Sequence, residues 1–107
     1  MPPLSSPLPM DTNNNAIQAA SVVQDVLNVT LNSSTYMPVT LPSTDGCKSI
    51  SAKSRNGVAW YLATSASPTD YMTVTGTLSL DLVATGGMTL FYAKGSEADV
   101  LEVLLLN

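Results

Sequence analysis

The sequence predicts an all-β fold, an antiparallel β-sandwich or jelly-roll-like barrel with an extended N-terminal arm, and three observations carry that prediction. From Val26 onward apolar residues alternate with polar ones in short runs, the period of two that marks strands with one buried face. Turn-forming residues recur about every 8 to 12 positions, the spacing of sandwiches and barrels. The opening MPPLSSPLPMDTNNNAIQAA, by contrast, holds four prolines in positions 2 to 9 and the run Asn13, Asn14, Asn15, and it offers a core very little. The chain therefore divides into an arm, residues 1–25, and a β domain, residues 26–107.

Taken in order, the arm comes first. Its leading segment of about nineteen residues reaches roughly 60 Å when extended, longer than a domain of this size. Burying Leu4, Leu8, Met10 and Ile17 does not by itself offset the entropy lost when that much backbone is ordered. Pairing against another strand edge supplies what is missing, so the arm is expected to gain its order in an assembly. A tail with no task is the plainer alternative. The only helical candidate is AIQAASVVQDVL, with Ile17, Ala20 and Val23 near one face. Its four β-branched aliphatics and missing stop signal favour an extended segment.

The strands follow. VLNVTL places Leu27, Val29 and Leu31 on one face, against Val26, Asn28 and Thr30. YMPVTL comes after the turn NSST, and Pro38 within it calls for a sheet edge, because proline has no amide hydrogen to donate. CKSISA sets Lys48, Ile50 and Ala52 against Cys47, Ser49 and Ser51, and RNG at 55–57 is an Asn-Gly hairpin signal. VAWYLA is apolar on both faces, Val58, Trp60 and Leu62 opposing Ala59, Tyr61 and Ala63, which marks a central strand. YMTVTG, TLSLDLVATGG, MTLFYAKGS and ADVLEVLLLN complete the series, with Leu78, Leu80 and Leu82 facing in. Gly76, Gly86, Gly87 and Gly95 stand at the breaks.

Composition narrows the function classes. The chain has 107 residues, room for one core, with four Lys+Arg against eight Asp+Glu and a net charge of -4. That balance argues against nucleic acid or an anionic membrane as partner. Only 11% of residues are charged while 45% are hydrophobic, a surface suited to staying packed against other proteins; a small, neutral, monomeric β domain is the bland alternative. The single cysteine, Cys47, excludes an internal disulfide and reads as a small hydrophobe. No basic and apolar leader and no apolar run of about 20 residues is present, so the expected product stays in the cell that makes it or leaves inside something larger.

The chemistry-bearing residues are few. Histidine is absent, which removes the commonest general base, the usual triad and most zinc sites. Asp11, Asp25, Asp45, Asp70, Asp81, Glu97, Asp99 and Glu102 are scattered and propose no acid/base pair, so no catalysis, cofactor or metal is expected. Glu97 and Asp99 suggest a calcium ion only weakly and are read as a solvated turn. Lys48, Lys53 and Arg55 cluster near SRNG, where they solubilise an exposed tip or meet an acidic partner; Lys53 and Arg55 are the candidate contact residues. Asn28-Val29-Thr30 and Asn32-Ser33-Ser34 fit the N-glycosylation pattern, which means little without a leader. Tyr36, Trp60, Tyr61, Tyr71, Phe91 and Tyr92 fall on several strands and both faces, as core and rim packing or, less simply, a sugar-binding face.

Two stretches carry a resemblance. PLPMDTNNNAIQA is similar to the Pro-x-Asp-x-x-x-Asn-x-Ile-Gln-Ala start of small virion structural proteins of tailed bacteriophages. ISAKSRNGVAWYLATSASPTDYMTVTGTLSLDLVATGGMTLFYAKGSEADVLEVLLL resembles their body, with a hairpin like LDLVATGGMTLFYA and a closing strand like ADVLEVLLL. The resemblance implies a jelly-roll-like subunit repeated on a phage particle, most often a head decoration, cement or minor capsid protein. Its partners would be the major capsid protein or other virion subunits, it would form a homo-oligomer with a trimer favoured, and it would be made in the host cytoplasm. Pro2, Leu4, Pro7, Leu8, Met10 and Ile17 are the expected arm contacts. The alternative is a neck, tail or fibre component, an adaptor or a module reading a receptor or carbohydrate through loops 65–70 and 84–87.

Overall fold

The computed structural model describes residues 22–107, and every regular element in that span is a strand. Eight of them run in order: β1 (Val23–Thr30), β2 (Met37–Thr40), β3 (Cys47–Ser54), β4 (Trp60–Ala63), β5 (Met72–Val74), β6 (Leu78–Ala84), β7 (Thr89–Lys94) and β8 (Val100–Leu106). Each of the alternating runs becomes a strand, because a period of two gives each a face to bury. β1 starts at Val23, three residues before the expected boundary at Val26, where Val23 pairs with Leu106 of β8. That pairing also settles the described part of the helical candidate as strand. Among the described residues no helix is long and apolar enough to cross a membrane.

Two four-stranded antiparallel sheets form, in the orders β1-β8-β3-β6 and β2-β7-β4-β5. Strands pair β1 with β8, β2 with β7, β3 with β6 and β4 with β5, as in one long ribbon doubled back at the β4–β5 loop. Lateral pairs β3–β8 and β4–β7 then join the halves of each sheet. Rolling such a ribbon drops successive strands into alternate sheets, which is the jelly roll. The expected sandwich is therefore what the chain forms, and Pro38 does sit on an edge strand, β2, while β4 is interior.

One consequence corrects the turn assignments. RNG forms a tight turn, with Gly57 N donating to Ser54 O at 3.1 Å and Gly57 at φ 72°. It does not close a hairpin, since β3 and β4 lie in different sheets. The Thr85–Met88 turn likewise carries the chain from β6 in one sheet to β7 in the other. Both are arches over the core. Local turn chemistry was satisfied, but the strands on either side found better partners elsewhere.

The core lies between the sheets and draws on nearly every strand. Leu101, Val103 and Leu105 of β8 alternate inward and meet Ile50 and Ala52 of β3, with Trp60, Val74, Phe91 and Ala93 from the opposite sheet. Trp60 is fully buried and stacks on Phe91 at 6.0 Å between ring centroids. Cys47 joins this core although strict alternation groups it with Ser49 and Ser51. The β3–β6 register shifts between Cys47 and Ser49, turning Cys47 inward and leaving Lys48 exposed. Leu78 and Leu82 pack against the core as expected, whereas Leu80 stays 37% exposed on the edge strand β6.

Strand directions decide what shares an end. The start of β1, the 41–46 and 64–71 loops and the 85–88 turn lie together at one end. Leu41 N donates to Met88 O at 2.9 Å and Gly87 N to Leu41 O at 3.0 Å there. The 31–36, 55–59 and 95–99 connections occupy the other end, where Leu31 N donates to Asp99 O at 2.7 Å.

Candidate functional site

Sheet β2-β7-β4-β5 turns its inner face to the core through Val39, Phe91, Ala93 and Trp60. Its outer face carries a row of residues that register aligns. Met37 pairs with Ala93, so one step earlier Tyr36 falls beside Lys94; Lys94 pairs with Tyr61, and Tyr61 with Thr73 of β5. Tyr71, two residues before Thr73, lies diagonal to Tyr61 and meets it edge to face, with centroids 5.4 Å apart and an interplanar angle of 84°.

Lys94 bridges this row. Its Nζ sits 5.0 Å from the Tyr36 ring centroid and 6.0 Å from that of Tyr61, an ammonium held by the negative faces of two rings. No carboxylate of the described residues forms an ion pair with it. Burial pushes the Tyr36 phenol above its ordinary value, and charge interaction with Tyr71 and Tyr61 adds to the shift.

The end of the row is walled by two loops fastened to each other. Asn32 Oδ1 accepts from the Ser34 amide at 3.0 Å and from that of Thr35, folding the NSST turn back on itself. Ser33 donates through its amide and its hydroxyl to Glu97 Oε1 at 3.1 and 3.2 Å, and Gly95 N donates to Asn32 O at 3.1 Å. Gly95 fits closely at this junction, where a Cβ would stand 2.7 Å from Leu31 Cδ1 and press on that buried side chain. Ser33, Ser96, Tyr36, Tyr61, Tyr71 and Lys94 thus line a groove of about 450 Å³.

Such a groove offers ring faces, one ammonium and hydroxyls. Its lining carries no histidine, carboxylate or cysteine. Among the described residues no group of three or more acidic, cysteine or histidine side chains is gathered for a metal. A comparison with known protein families, curated proteins and solved structures finds no match.

Of the residues singled out in the sequence, Pro2, Leu4, Pro7, Leu8, Met10 and Ile17 lie outside the described residues. Lys53 and Arg55 lie at the end of β3, and both engage Glu102 of β8, at 3.9 Å from Lys53 Nζ and 2.9 Å from Arg55 Nε. One carboxylate therefore offsets half of the charge they would show an acidic partner. Loops 65–70 and 84–87 share the end where β1 begins, remote from the Ser33 and Ser96 wall of the tyrosine groove.

The acidic residues bring two differences from expectation. Asp99 is no solvated turn residue but 1% exposed; it accepts from the Ser54 hydroxyl, from Asn56 N at 3.3 Å and from Val100 N at 2.8 Å. Its neighbour Glu97 is spent on Ser33 instead. Asp25 and Asp45, twenty residues apart in sequence, meet in space, and contact with the Asp25 carboxyl, followed by desolvation, raises the Asp45 pKa against an opposing Gln24. Nothing local in the sequence signals that pair. The groove's tyrosines are visible in the sequence as residues, but their convergence depends on the order β2-β7-β4-β5, which no spacing along the chain encodes.

Proposed function

We propose that this protein is a non-enzymatic structural subunit of a phage particle, a capsid decoration or cement protein. It docks through its N-terminal arm and its β domain on the major capsid protein or other virion subunits, as a homo-oligomer with a trimer favoured. The observation that supports this reading is the two-sheet sandwich, whose core among the described residues draws on both sheets from Leu31 to Leu105. A jelly roll alone does not decide the matter, because shells, lectins and enzymes share it. The low charge and the resemblance in the arm and body favour the shell.

Deletion of residues 1–15 tests it. The truncated protein is expected to keep its β-sheet circular dichroism and to lose attachment to particle shells. Undiminished attachment overturns the role of the arm. The second reading, a neck, tail or fibre module, draws on the grouping of loops 65–70 and 84–87 at one end of the roll. Copy number separates the two, hundreds per particle favouring the shell and a few dozen or fewer the tail.

A further inference from the structure

We propose that the tyrosine groove of one subunit receives the proline-rich segment Pro2–Asp11 of a second copy of this chain, so that neighbouring subunits clasp one another arm to groove. The proposal rests on the reading of the arm as a docking element, with ring-face contacts to a pre-extended proline-rich segment in place of the strand pairing expected from the sequence, but not on where in a particle the assembly sits.

The groove has the make-up of surfaces that take polyproline II segments: ring faces set side by side, into which prolines and the residues between them fit. Proline fixes φ near the value this helix needs, so a segment rich in it loses less entropy on docking. In a helix of three residues per turn, Leu4, Pro7 and Met10 fall on one edge. At a rise of about 3.1 Å per residue they span roughly 19 Å. The row from β2 across β7 and β4 to β5 covers three strand spacings, about 14 Å, and the Tyr71 ring extends it. The lengths match.

Charge favours the same occupant. Asp11 is the one charged side chain in the first twenty-one residues. Lys94, like Lys48, stands apart from the Lys53–Arg55–Glu102 cluster with no ion-pair partner among the described residues, and Lys94 is the one held over aromatic rings. An acidic residue at the end of a proline-rich segment and an ammonium in an aromatic groove complement each other.

Geometry favours a second copy. Val22, bonded to Asn107 through both backbone groups, lies in the other sheet and at the far end of the roll from Ser33 and Ser96. The eight residues of β1 separate the two ends by about 26 Å, and the sheets stand about 10 Å apart. To reach its own groove, the ten residues between Asp11 and Val22 would have to run almost straight around the sheet edge, at about 33 Å fully extended. A neighbour removes that constraint.

The test uses the full-length protein alone, without shells. Leu8 is replaced by p-benzoylphenylalanine, isotopically heavy and light copies are mixed, and adducts formed on irradiation are mapped by mass spectrometry. Adducts are expected on peptides holding Tyr36, Tyr61 or Tyr71, joining heavy to light copies. Lys94→Glu is expected to reduce them at least several-fold, Asp11→Lys to restore them in that background, and Tyr71→Ser, at an exposed ring, to reduce them without disturbing the fold. Adducts within single copies, adducts elsewhere, none at all, or indifference to Lys94→Glu overturn the proposal. So does a groove that answers galactose or glucose with shifted Tyr61 and Tyr71 resonances while no arm adduct forms. Failure here alongside shell attachment that still needs residues 1–15 would leave the docking arm standing and remove only its groove.

Discussion

The buried Asp99 carboxylate accepts the Ser54 hydroxyl, joining the approach to β8 to the end of β3 across 45 residues of sequence. Ser54 Oγ in turn accepts from Val58 N at 3.2 Å, and Asp99 Oδ1 accepts from Asn56 N, so both side chains serve the Asn-Gly arch that passes from one sheet to the other. An arch that leaves the β3 ladder needs donors and acceptors to replace those a hairpin would have given it. Ser54 and Asp99 provide them.

Ser54→Ala is expected to cost about 1 to 3 kcal/mol, because the buried Asp99 carboxyl loses a donor and Val58 N loses its acceptor. The urea midpoint should fall with the m-value unchanged. A midpoint within error of the parent would mean that the bond carries no net stability.

Cys47 should behave as an inert thiol. Burial pushes its pKa up against the opposing Ala84 backbone contact, and its Sγ donates to Leu82 O at 3.3 Å. Reaction with a disulfide reagent at neutral pH is expected to be at least tenfold slower in the native protein than in denaturant, the thiolate being the reactive form. Equal rates would place the thiol at the surface.

The Asp25–Asp45 pair predicts a pH effect of definite sign. Asp45 Oδ2 is covered and has no donor, and its neighbour is another acceptor, so the two carboxyls bond only when one holds a proton. A pKa raised in the folded state means that the native form binds this proton more tightly than the unfolded one. The stability it contributes is full below the ordinary carboxylate range and is lost as pH rises through the raised value. Asp45→Asn should therefore exceed the parent in thermal midpoint near pH 7, with the advantage shrinking toward about pH 4. An advantage that stayed constant over that range would remove Asp45 as its source.

Gly86 is held by close approach. A Cβ there would meet the Ser43 carbonyl and stand 2.8 Å from Pro42 O, both backbone atoms of the 41–46 loop. Gly86→Ala is expected to cost about 1 to 3 kcal/mol through overpacking, read by chemical denaturation. At Gly87, whose φ is 88°, an added Cβ meets nothing, so Gly87→Asn should be milder than Gly87→Val. Equal losses at Gly87 would point to a cause other than backbone conformation.

What the sequence determined by itself was local. The shared face of Leu27, Val29 and Leu31, the inward Leu78 and Leu82, the edge position of Pro38 and the interior place of the VAWYLA strand all follow from side-chain periodicity and from proline's missing amide, which act within a few residues. What only the tertiary structure decided was adjacency. The Asn-Gly turn became an arch, Asp99 went inside, Asp25 came to rest beside Asp45, and Tyr36, Tyr61, Tyr71 and Lys94 converged from four segments because β2, β7, β4 and β5 lie side by side. The reason is physical: strand identity is set by which face a residue can bury, whereas strand partners are chosen by the lowest free energy of the whole roll, through contacts far apart along the chain.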